Sequence, residues 1–97
     1  MNLEDLLDEH KEVSTKMLFQ SNLETSSTIA LQIMAGGVLK EHISKTPALL
    51  LCVKGKVVYQ DEKDNETVLN PGQYKEIVPM VKHRVKGISD SQLILCK

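Results

Sequence analysis

From Thr28 onward, apolar and polar residues alternate with a period of two, in short runs broken by Gly, Pro, Asn and Asp. That period fits strands, because alternate side chains of an extended chain point to opposite faces, and it does not give the stripe of a helix. Between Thr28 and Met34, Ile29, Leu31 and Ile33 share one face, and Thr28, Ala30 and Gln32 the other. Gly36 and Gly37 break this run; a second spans Val38 to Ser44 and ends at the turn Lys45-Thr46-Pro47. Ala48 to Val53 is apolar on both faces, which predicts a strand covered on both sides. Val57 to Gln60 leads into a polar hairpin tip, Asp61 to Glu66, and Thr67 to Leu69 returns from it. In the turn Asn70-Pro71-Gly72, proline presets one dihedral and glycine tolerates the next. Further strands are expected at Tyr74 to Val78, Val81 to Lys86 and Gln92 to Cys96. Roughly seven to nine short strands with no helix between them predict an antiparallel β-barrel or sandwich.

The first residues differ. Asn2 is placed to cap a short N-terminal helix from about Leu3 to Lys11, with Leu3, Leu6 and Leu7 at helical spacing. Glu4, Asp5, Asp8 and Glu9 against Lys11 make this segment acidic. Its leucine stripe is expected to pack on the body of the domain or on a partner subunit. Residues 1–12 therefore read as a helical arm and 13–97 as one barrel, since 97 residues suit a single core.

Twelve Lys and Arg against thirteen Asp and Glu, with only Phe19, Tyr59 and Tyr74 as aromatics, argue against nucleic acid as a partner. Phosphate binding needs a concentrated basic surface, and base stacking needs aromatic rings. The apolar runs are too short to cross a bilayer, and the acidic start shows no secretion signal, so a cytoplasmic protein without a membrane partner is expected. Cys52 and Cys96 lie inside apolar strand-like segments and are read as buried free thiols in a reducing compartment.

The most informative stretch for a site is Val81 to Lys86. Lys82, Arg84 and Lys86 share one face, which must turn to water, so His83 is expected to point inward with Val81 and Val85. A core histidine satisfied by one hydrogen bond is the plainer alternative to a binding role. His42 is the second candidate, on a segment where both faces mix polar and apolar residues. His10, on the acidic arm, is given no role. The chain carries no nucleophile elbow, glycine-rich phosphate loop or helical His-Glu-x-x-His.

Two stretches, Gly36 to Gly55 and Leu69 to Val85, resemble the two motifs of the cupin superfamily, small jelly-roll barrels that often hold a metal. The first family motif runs Gly, five residues, His-x-His, three or four residues, Glu, six residues, Gly. Gly36, His42 and Gly55 stand at matching positions, with Ser44 at the second histidine and Ala48 at the glutamate. The second runs Gly, five residues, Pro-x-Gly, two residues, His. Gly72 and His83 match it, Val78 and Met80 replace its proline and glycine, and Pro79 is shifted by one. The resemblance implies an all-β antiparallel jelly-roll (cupin) barrel whose pocket is lined by His42, Ser44, Cys52 and His83, and a homodimer, as is common among small cupins.

Only His42 and His83 remain of the metal-binding set, and a catalytic ion typically needs about three protein ligands. No cofactor is therefore expected. Should a divalent ion (zinc, iron, manganese or nickel) bind, the resemblance makes His42 and His83 its ligands. Cys52 would be a third donor of a kind that suits zinc or copper. The leading expectation is a non-enzymatic cupin-like protein that binds a small molecule, or acts as a sensor or accessory subunit. The alternative is a metal-dependent enzyme resembling the family's dioxygenases and isomerases.

Overall fold

The computed structural model describes residues 12–20, 27–42 and 45–97. The expected N-terminal helix and Ser44 lie outside the described residues. Nine strands are present among these: β1 (Val13–Gln20), β2 (Ser27–Ile33), β3 (Val38–His42), β4 (Ala48–Lys54), β5 (Val57–Asp61), β6 (Glu66–Leu69), β7 (Tyr74–Ile77), β8 (His83–Gly87) and β9 (Ser91–Cys96). They form two antiparallel sheets, ordered β1-β2-β9-β4-β7 and β3-β8-β5-β6. From β3 to β9 the chain crosses repeatedly between the sheets, so both inner faces are built from many short segments.

The alternation sets which side chains meet between the sheets. Leu31 pairs with Leu93, which pairs with Cys52, and all three are buried. From the opposite sheet, Val57, Tyr59, Leu69 and Val85 close over them. Burying one such aliphatic side chain stabilises by about 2 kcal/mol. Among the described residues the core is therefore a sandwich interior built by strands alone.

Three sequence expectations change. Val13–Gln20 is a strand not singled out in the sequence, an edge element that pairs with β2 through an irregularity between Met17 and Phe19. β4 is not covered on both sides: Ala48, Leu50 and Cys52 are buried, Leu49 and Leu51 half-buried, and Val53 is 44% exposed. Only Cys52 of the two free thiols is buried; Cys96 is exposed, because it lies three residues beyond inward-facing Leu93 and so on the other face of β9.

The two ends of the sandwich differ. At one, main-chain bonds prolong the β3–β8 and β5–β8 ladders, and a serine of β9 bridges to them. Gly36 N–H donates to Gly87 O, Gly87 N–H to Gly37 O and Ile88 N–H to Lys56 O, each at 2.9 Å. The Ser91 hydroxyl accepts from Lys56 N–H at 2.9 Å and lies 2.7 Å from Ser89 O. A Cβ on Gly87 would lie 2.5 Å from Met34 O, so only glycine lets the sheets approach this closely. At the other end stand the start of β8 and the end of β5, where His83 pairs with Asp61.

Candidate functional site

His83 is the first residue of β8 and 2% exposed, pointing inward as its alternation with Arg84 and Lys86 requires. Its Nδ1 lies 3.1 Å from Val81 O. A carbonyl only accepts, so Nδ1 carries a proton in this contact. The imidazole stacks on Tyr59, with ring centroids 5.4 Å apart and planes 22° from parallel. Tyr59 is held there by strand register: its Cα partner is Val85, so the tyrosine stands diagonally across from His83. On the opposite sheet, Lys75 of β7 shares the inward side with Ile77, and its Nζ sits 5.8 Å from the centre of the Tyr59 ring. Burial raises the Tyr59 hydroxyl above the ordinary phenol range, and the Asp61 charge adds to the rise.

Asp61, two residues beyond Tyr59, is committed to the hairpin. Its carboxylate accepts from Lys63 N–H at 2.9 Å, Asn65 N–H at 3.0 Å and Asn65 Nδ2 at 3.1 Å. Desolvation is the largest single influence on this carboxyl and acts upward. The hydrogen bonds from Asn65 and Lys63, with the Lys63 charge, outweigh it and hold the group below the ordinary carboxylate range.

Of the residues singled out by sequence, His42 is the backbone partner of His83 across β3 and β8. Leu39 pairs with Val85, two residues before His42 reaches His83 on β8 but three on β3, and this bulge is why the segment's parity could not be read. Cys52 goes elsewhere. Its Sγ lies 3.7 Å from both Lys54 O and Gly55 O, and Gly55 leads into Val57, the partner of Gly87. His83 is four residues up β8 from Gly87, or about 13 Å at strand rise. The structure thus separates Cys52 from His83. Burial pushes the Cys52 thiol above the ordinary range, against a smaller lowering from its bond to Lys54. It is a core residue bonded to a turn.

Ala48 takes the position of the carboxylate and is buried among apolar neighbours, and Cys52 stands at the far end. Among the described residues, no three His, Cys, Asp or Glu side chains group closely enough to hold an ion. Tyr59 and Lys75 were missed because a lone inward lysine on a four-residue strand leaves no mark in the alternation. Only the pairing of β7 with β4, placing Lys75 opposite Leu50, shows which way it points. A concavity of about 850 Å³ opens between β1, β2 and β3; its apolar walls include Val13, Ile29, Leu39 and Leu95, with Glu12, Lys40 and Lys97 among its polar lining.

No protein-family model and no curated protein matches the chain. Solved structures do match. A cupin superfamily protein from Desulfitobacterium hafniense is 18% identical with a TM-score of 0.79, covering 88% of this chain and 75% of the other. A cupin-2 domain protein from Shewanella frigidimarina is 15% identical with a TM-score of 0.80, covering 100% and 92%. KdgF from a Halomonas species is 17% identical with a TM-score of 0.76, covering 92% and 82%. The backbone of the two motif stretches agrees with this likeness. Gly36, Gly55 and Gly72 all take positive φ, and so does Met80, at 66°, the residue standing where the second motif has glycine. That conformation is one glycine adopts without steric cost and a methionine only with strain.

Proposed function

We propose that this chain, which has the fold of the cupin barrels, is a metal-independent binding protein that takes a small polar molecule at the His83 end and acts as a sensor or accessory subunit. The observation that carries the reading is a cluster of polar side chains inside an otherwise aliphatic barrel: His83 stacked on Tyr59, with Lys75 over the same ring. Concave, mostly apolar sites with a few convergent polar groups are the usual form of small-molecule pockets. Ala48 in place of a carboxylate supports independence from metal.

Protein purified without chelator and analysed for zinc, iron, manganese and nickel is expected to carry far less than one ion per chain. Near-stoichiometric metal, lost in a His42→Ala/His83→Ala double variant, would overturn the reading in favour of a metal-dependent enzyme.

A homodimer is part of the same proposal. Leu49, Leu51 and Val53 of β4 and Tyr74 of β7 present one apolar outer face that the chain itself leaves partly open. A second copy seated there would complete the cover that the doubly apolar β4 calls for. Sedimentation at tens of micromolar is expected to give twice the chain mass, and Leu51→Lys to give the monomer; a wild-type monomer would end the idea. An exposed, unbridged Cys96 suits a reducing compartment such as the cytoplasm.

A further inference from the structure

Resting on that binding reading, we infer that the ligand is a small carboxylate, and that Lys75 is its counter-charge. Three observations meet at one place. Lys75 points into the barrel and is half-buried, yet among the described residues no ion pair or hydrogen bond engages it; its contact is the face of the Tyr59 ring at 5.8 Å. Charges drawn out of water are ordinarily paired, because partial burial costs free energy that a partner restores.

The second observation is the Tyr59 hydroxyl. Tyr59 is 3% exposed, and no hydrogen bond holds its oxygen. Yet no fully buried side-chain polar atom among the described residues lacks a partner, so this hydroxyl keeps a little accessible surface. Its raised pKa keeps it protonated at neutral pH, where it is a donor.

The third is the absence of competition. Asp61 is the nearby carboxylate on the same strand, and its oxygens are occupied by Lys63 and Asn65 of the hairpin. It contributes negative potential but leaves the ammonium unpaired. The site therefore offers one cation and a neutral hydroxyl donor beside a stacked pair of rings. A carboxylate matches it, with one charge and two acceptor oxygens. A phosphate, with more charge and more oxygens, would call for further cations or a row of backbone N–H groups. A simple edge-protecting role for an inward lysine is the competing account.

The test uses pairs of near-identical shape that differ in charge: succinate against succinamide, and benzoate against benzamide, each followed through the ring signals of His83 and Tyr59 in the full-length protein. The carboxylates are expected to shift both residues, at least about tenfold more tightly than the amides. Lys75→Met should abolish that preference, bringing the carboxylate's affinity down to that of its amide in the same variant, and Lys75→Arg should retain part of it. Equal affinity for both members of each pair would overturn the carboxylate assignment and leave the binding reading standing. If no member of either pair moves either ring, the binding reading falls and the carboxylate with it. The wild-type comparison needs no variant, so a poorly folding Lys75→Met does not blunt it.

Discussion

The two ends of the barrel are made from the same strands and obey opposite rules. Around Gly55, Gly87 and Ser91, main-chain bonds prolong the β3–β8 and β5–β8 ladders, the Ser91 hydroxyl ties β9 of the other sheet to Lys56, and Cys52 fills space. Around His83 a histidine, a tyrosine and a lysine face inward, with the lysine unpaired and the preceding turn holding Met80 in a left-handed conformation. Structures tolerate such local inconsistencies where they are used and compensate for them elsewhere. The closed end supplies that compensation.

Variants can break this contrast. Gly55 has φ +85, and a Cβ there would run into Asp90 O and Ser91, so Gly55→Ala should lower unfolding stability in urea by about 3 kcal/mol. Gly72, at φ +88 with open space around it, should lose only about 1 kcal/mol on the same change. Equal losses would mean that close approach is not what holds the closed end. Ser91→Ala removes the acceptor for Lys56 N–H and should cost about 1.5 kcal/mol by the same measurement.

Alkaline pH probes both ends together. Cys52 and Tyr59 have folded pKa values raised above 9.0 and 10.0, so the folded state holds their protons longer than the unfolded chain does. Their contribution is complete below those values and is lost as pH rises through the folded ones. The melting temperature should therefore begin to fall above about pH 9, and Tyr59→Phe should flatten the upper part of the decline. An unchanged profile in that variant would show that Tyr59 is solvated when folded.

The smallest effect is a gain. Met80→Gly relieves a side chain in left-handed backbone, less the added freedom of the unfolded chain, and should stabilise by about 0.5 kcal/mol in the same urea experiment. A loss would mean that the exposed methionine makes contacts worth more than its strain.

Much of the fold was legible because alternation is a local property that survives into the sheet. The run His83 to Lys86 fixed its own inward face through its cations, and Ile29, Leu31 and Ile33 read correctly as one side of a strand. What failed were features that local pattern does not hold. β4 looked covered on both faces because apolar residues show only that burial is available. Cys52 looked like a neighbour of His83 because same-face parity says nothing about height along the barrel. His42 had no readable face because a one-residue bulge shifts its register.

By itself, then, the sequence determined the β class, the turns and the inward direction of His83, since steric alternation and glycine backbone preferences act over a few neighbouring residues. The tertiary structure alone decided which end each residue occupies. Pairing β4 with β7 and β5 with β8 brings Lys75 over Tyr59 and His83 while carrying Cys52 away, because non-local register is set by how whole strands satisfy one another's backbone bonds and bury a shared face.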